Sequence, residues 1–444
     1  MTECSTQVGL SPLPRKPVWV RNDGGALTSD AGVLLLRQLD ERLGLTERLA
    51  ACLPDGRDPS RVQHAVLPLL RQRIYQIACG YEDCNDADSL RSDPALKLAV
   101  GRAPQERDLA SQPTLSRLEN AVGAQDCYRL SEVLVGSYLE RHRADPPPRI
   151  VLDVDATDDP THGQQQLSFF HGYYNTYCYL PLLVFAQRER GGEQELLAAV
   201  LRPGNIHSGH RAMAILERVV ERLRQAFPQC VIELRSDSAL ALPEVYEGCE
   251  RLGLPYTISL PKNERLKALS LPWLSQARAI YAQTGEKVQV FGEFAYAAQS
   301  WPEKRRVIVK AEVMEKGENP RFVVTSRCEA DPQALYRFYA KRGDPENRIK
   351  ELKVGLKADR LSCHSFWANQ FRLLLHSAAY VLLQAMRAAL AGTELACAQV
   401  ETLRLRLLKV GARVVESVRR VWVHLPSAYP WAYLWPTLAR AGPI

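Results

Sequence analysis

Three consecutive prolines, Pro146, Pro147 and Pro148, follow Asp145 and divide this 444-residue sequence into two stretches of different character. No regular helix runs through such a segment, because each proline lacks a backbone N–H and its ring collides with the preceding turn. Before it, from about 27 to 122, apolar residues recur at helical intervals: Leu34, Leu35, Leu36, Leu39 and Leu43, then Leu67, Leu70, Ile74 and Ile77. Pro113 can open a short helix with Leu115, Leu118 and Val122 on one side and Ser116, Arg117 and Asn120 facing out, ending at Gly123. Such a helix suits the surface of a bundle as well as the groove of a duplex.

Beyond the prolines the pattern changes. Residues 150–155, 178–187 and 196–201 read as strands, the last two joined by a link short enough for a meander. An amphipathic helix over 210–226 follows, then a strand at 231–235, a helix at 243–252 and a strand at 256–260. Three strands followed by alternating helix and strand predict a mixed α/β sheet. A second strand-rich block, 287–296, 305–314 and 321–325, precedes a helix from about Gln333 and reads as an inserted β subdomain.

Composition removes several classes. Apolar residues make up 46% and charged residues 24%, the usage of a folded chain long enough for two or three structural units. The longest apolar runs, such as 177–186, are too short to span a membrane, and residues 1–10 lack the pattern of a secretion signal. Eleven cysteines without a CxxC pair read as reduced thiols in a cytoplasm, and only Cys79 and Cys84 approach zinc-ligand spacing, without companion histidines. A net charge of +7 permits a polyanionic partner without demanding one.

The chemistry lies in carboxylates. The strand ending Leu152-Asp153-Val154-Asp155-Ala156-Thr157 places Asp153 and Asp155 on one face by alternation, an arrangement that is costly without a cation. Asp237 follows the strand 231–235 and would project from its carboxyl end, where ligands of α/β sheets gather, although it could equally cap the following turn. Tyr339, Arg342, Glu346 and Lys353 are spaced Y-x2-R-x3-E-x6-K. At roughly 100° per residue these four fall within a narrow arc of one continuous helix. Arg342 and Glu346 would also pair simply as neighbours one turn apart. Pro345 predicts a kink or restart, with Asp344 capping a new helix and Pro345 at its first position.

With these motifs the sequence resembles the DDE insertion-sequence transposases, through the LDVDATDD strand, the RPGNIHSG and RSDSAL segments, the strand-rich insertion and the YAKRGDPENRIKELK helix. The resemblance implies an α/β fold: an RNase H-like mixed-sheet catalytic core with a β-strand-rich insertion, preceded by an all-helical N-terminal domain. The expected boundaries are 1–145 for a helical DNA-binding domain, 146–273 for the first part of the core and 274–327 for the insertion. The second part of the core, with the Glu346 helix, takes 328–397, and a tail for packing or oligomerisation takes 398–444.

Asp155, Asp237 and Glu346 look like the catalytic, metal-binding triad, with Asp153 as the alternative first ligand. Tyr339, Arg342 and Lys353 look like DNA contacts. Trp301 resembles a position that stacks on a displaced base, with a core tryptophan as the alternative, and Asn205 and His207 match a segment near the active site. The aromatic run 169–179 reads as core and sheet packing ahead of a binding platform. The implied cofactor is Mg2+, two ions bound by hard carboxylate oxygens, with Mn2+ as a substitute. The implied partners are double-stranded DNA with terminal inverted repeats, target DNA and a second copy of the chain, with no membrane, in the cytoplasm. The implied reaction frees the 3′-hydroxyl at each end of a mobile element and joins it to target DNA. A silent DNA-binding descendant and a metal-dependent phosphatase are the alternatives.

Overall fold

The structure, a computed structural model, describes residues 7–189 and 193–440; Cys4 and most of the segment 1–10 lie outside the described residues. The chain forms two compact units, one of residues 1–119 with 382–444, the other of residues 120–381.

The second unit is built on a nine-stranded mixed sheet. Its centre is the strand Arg149–Ala156, whose residues 150–154 are all buried, as befits a strand covered on both faces. The antiparallel neighbour Leu182–Arg188 lies on one side, followed by Glu195–Val200. On the other side run Val231–Ser236, parallel to the centre, and Tyr256–Leu260, parallel to Val231–Ser236. The first strand in the middle, second and third to one side, fourth and fifth to the other, is an order compatible with the expected RNase H-like core. One face is packed by the helices Ala212–Ala226 and Pro243–Arg251, whose Leu216, Val220, Leu223, Val245 and Tyr246 meet Ile150, Leu152, Val154 and Leu234. Against the outer strand, the Gln370 amide accepts from Leu201 N at 2.6 Å and donates to Ala199 O at 3.1 Å.

The strand-rich insertion is not a sheet of its own. Arg321–Thr325 pairs antiparallel with Tyr256–Leu260, and Arg305–Met314 and Val288–Tyr296 continue outward from it. The reason lies in the residues: Phe322, Val323, Val324 and Thr325 are all buried, so this strand needs neighbours on both edges and cover on both faces.

The first unit departs from an all-helical N-terminal domain ending at 145. It does contain helices, among them Val33–Leu43, Val66–Cys79 and Gln112–Asn120. Strands Val8–Leu13 and Lys16–Val20 precede them as a hairpin, and Leu27–Thr28 pairs with Ala412–Ser417. The tail belongs here too: Ala31 N donates to Val410 O at 3.0 Å and Lys409 pairs with Asp30 at 2.7 Å. Gly32 permits this, since a side chain there would begin 1.8 Å from the Leu407 carbonyl oxygen. Helix Ala124–Arg141, on the N-terminal side of the prolines, falls in the second unit because Tyr138 packs in its core. No helix among the described residues is long and apolar enough to cross a membrane.

Candidate active site

Asp155 and Asp237 leave the carboxyl ends of neighbouring parallel strands, Arg149–Ala156 and Val231–Ser236. Asp237 caps the short turn Ser238–Leu240 with one oxygen, which accepts from Ala239 N at 2.8 Å. Its other oxygen stays available to the site, so the capping and functional readings of this residue are compatible.

Glu346 arrives on a broken helix. Pro332–Ala340 ends, Gly343–Lys350 restarts, and the chain then widens into a single π turn, Glu351–Gly355. The restart comes earlier than the sequence predicts, with Arg342 instead of Asp344 at the cap. Pro345 still falls in the first turn, where an N–H has no helical partner to lose. The Y-x2-R-x3-E-x6-K residues therefore lie on three helical pieces, and the single stripe of a continuous helix is absent.

What gathers instead is a cluster around one guanidinium. Arg342 meets Asp155 at 3.1 Å, Asp237 at 3.9 Å and Glu346 at 2.9 Å. Asp155 is mostly buried and Glu346 mostly exposed. Burial, followed by the charge of Asp237, pushes the Asp155 carboxyl up to about 6, against the pull of Arg342. Burial works against the Arg342 charge, but Asp155 and Asp237 hold it protonated. Lys353, from the π turn, reaches the same strand end: its Nζ donates to Thr157 Oγ1 at 3.2 Å, to Asp158 O at 2.6 Å and to Asp158 Oδ1 at 3.0 Å. Asp158 escaped the sequence reading, although it stands in the same LDVDATDD run.

Asp153 is spent elsewhere. It is 2% exposed and takes both arms of Arg235, at 2.7 and 2.8 Å, and the Gln194 amide at 2.7 Å. Arg235 faces it across the strand pair and also donates to Phe338 O at 2.9 Å, four residues before Arg342. Asp153 thus ties the central strand to the helix that delivers Arg342.

The other expected site residues are placed differently. Tyr339 packs edge-on against Tyr336 on the strand Arg305–Met314 side of its helix. Asn205 and His207 are exposed, and His207 Nδ1 accepts from Gly209 N at 3.1 Å. Trp301 is not with the carboxylates: it is buried among Tyr246, Tyr296 and Arg305, at ring distances of 5.0, 5.5 and 5.5 Å.

The donor set suits a hard divalent cation: three carboxylates, one of which resists ionisation through burial and then through its neighbour's charge, gathered around a positive group. Among the described residues no three His, Cys, Asp or Glu side chains are drawn together as one ion's ligands; Asp155, Asp237 and Glu346 each face Arg342 instead. Residues 10–441 match the family described as transposase DDE domain group 1. No curated protein matches the sequence.

Proposed function

The chain belongs to the transposase DDE domain group 1 family, and from that membership we propose that it cleaves the ends of an insertion sequence and joins the freed 3′-hydroxyl to target DNA. The observation that carries this reading is the convergence of Asp155, Asp237 and Glu346 on the Arg342 guanidinium.

Asp155, Asp237 and Glu346 would hold two divalent ions, Mg2+ or Mn2+. When bound, such ions acidify the attacking oxygen and neutralise the leaving one. The protein's own part is positioning and charge. Asp155, mounted on a buried central strand, is the most buried of the three carboxylates. Arg342, once released from the carboxylates, has the planar fork to grip a phosphate through two parallel hydrogen bonds. Lys353 neutralises Asp158 and holds the loop after the strand, which keeps the Asp155 carboxylate aimed. Water attacks in the first step and the freed hydroxyl in the second, so one site serves both.

The test is cleavage of DNA carrying the flanking inverted repeats, in Mg2+, by the wild type, Asp237→Ala and Glu346→Ala. The reading predicts cutting by the wild type alone. Unchanged cutting by either variant removes that residue from the triad.

A further inference from the structure

Four residues past Asp155 the chain enters a small three-stranded sheet of Asp159–Pro160, Thr176–Tyr179 and Phe169–His171. Its hairpin carries a run of rings. Cys178 and Tyr179 are buried, but Tyr173 is 86% exposed, Tyr177 61%, Phe170 50% and Phe169 37%. Phe170 and Tyr177 face each other across the strands with ring centres 5.7 Å apart. Tyr173 stands edge-on to Tyr174, and Tyr174 packs on His171, each at 5.0 Å. These exposed rings are not core, which is where the sequence pattern alone would put them.

The hairpin is held firmly. Gly204 of the RPGNIHSG segment lies so close beneath it that a side chain would begin 1.9 Å from Cys178 O and 2.7 Å from Phe169 O. Buried Arg202 donates to Leu180 O at 2.9 Å, and Tyr179 OH donates to Gln166 O at 2.7 Å. It also borders the acids, because Thr161, three residues past the Lys353-bound Asp158, donates its N–H to Tyr177 O at 2.9 Å. Tyr174 turns inward, and burial, then the charges of Asp158, Asp155, Tyr173 and Asp237, push its phenol up to about 12.

We propose that the exposed rings Phe170, Tyr173 and Tyr177 form a stacking surface for unpaired DNA bases next to the cleaved phosphate; Phe169, opposite buried Cys178, belongs to the other face. The proposal rests on the transposase reading above. A strand whose phosphate sits at Asp155 and Asp237 places its neighbouring nucleotides within one or two steps, roughly 3.4 Å of helix axis each, and the hairpin is what those nucleotides would meet. Bases have flat apolar faces that stack on aromatic rings whatever their sequence. Arg342, once released from the acids, supplies positive charge for the adjoining backbone. A rigid platform loses little order on binding, which favours stacking over a mobile loop.

The experiment uses the full chain and fluorescent oligonucleotides of three kinds: a fully paired duplex end, the same end with its last three pairs mismatched, and a single strand. The wild type is compared with Tyr173→Ala, with Phe170→Ala/Tyr177→Ala, and with Tyr173→Phe, each checked for folding by circular dichroism. The expected result is a loss of affinity for the mismatched end and the single strand of roughly 5- to 100-fold per base unstacked. Paired duplex should change under twofold, and Tyr173→Phe should bind as the wild type does. Equal affinities of alanine variants and wild type for the unpaired probes would overturn the proposal. So would a shift of the variants to a smaller oligomer in light scattering without a binding change, because the rings would then be covered by a second copy. Cleavage in Mg2+ is followed in parallel. Ring-dependent binding without cleavage contradicts the transposase reading and leaves the stacking surface, whereas cleavage without ring dependence does the reverse.

Discussion

Arg342 is the residue on which the candidate site turns, because it supplies the counter-charge that three carboxylates need. Its removal by Arg342→Ala should tighten Mn2+ binding in the absence of DNA, measured by calorimetry, while slowing cleavage. Weaker Mn2+ binding by this variant would mean that the guanidinium supports the acids' geometry instead of occupying their centre. Asp155 and Asp153 make a second contrast, because alternation puts both on one face and the sequence could not separate them. Asp155 has its carboxyl raised from near 3.8 to about 6, so its ionised form is disfavoured in the folded state. The wild type without metal therefore loses stability through this residue as pH rises from about 4 to 6. Asp155→Asn escapes the loss: it should match the wild type near pH 4 and exceed it above pH 6, by at most about 3 kcal/mol. Thermal melting at the two pH values checks this, and an equal or lower melting point for the variant at pH 7.5 would contradict it. Asp153→Asn should do the opposite and cost about 3 to 5 kcal/mol, since it leaves Arg235 buried beside a neutral amide. Nothing in the spacing pointed to Arg235 as its partner; that follows from the strand register.

At the scale of elements, the broken helix 332–355 shows where sequence reasoning reached and where it stopped. Pro345 announced a restart, and the spacing drew attention to Arg342, Glu346 and Lys353, which the fold gathers near the strand end that carries Asp155. The π turn was not legible, because it depends on tertiary partners: the buried Glu351 carboxylate accepts from Arg348 and Tyr380, both at 2.8 Å, and so fixes the wide turn that sends Lys353 toward Asp158. The hairpin 169–179 was obscured for a related reason. Aromatic composition cannot tell a ring facing the sheet from one facing water; the register does, setting Phe170 beside Tyr177 on the exposed face and Phe169 beside buried Cys178. Gly204 underlies that hairpin by close approach alone. Gly204→Ala should lower stability by about 1 to 3 kcal/mol or more, read from urea unfolding, because backbone carbonyls and not movable side chains stand in the way. A variant as stable as the wild type would show that the hairpin can lift without cost.

For the whole molecule, the order of strands was readable because buried strands and amphipathic helices alternate without ambiguity, and 256–260, 305–314 and 321–325 fall where the pattern put them. Which strands share a sheet was not readable, since pairing is a non-local choice; the insertion joins the central sheet, and the tail completes the N-terminal unit. The fold thereby brings to one strand end acids separated by almost two hundred residues of sequence, Asp155 and Glu346. The central claim is that Asp155, and not its neighbour Asp153, works there with Asp237 and Glu346 in cutting DNA. The most direct measurement is the single-turnover rate of cleavage at an inverted-repeat end in Mg2+ by matched Asp155→Asn and Asp153→Asn proteins, each corrected for its folded fraction. The account predicts a fall of roughly 10³-fold or more for Asp155→Asn and a corrected rate within about tenfold of wild type for Asp153→Asn. Near-normal cleavage by Asp155→Asn would contradict it.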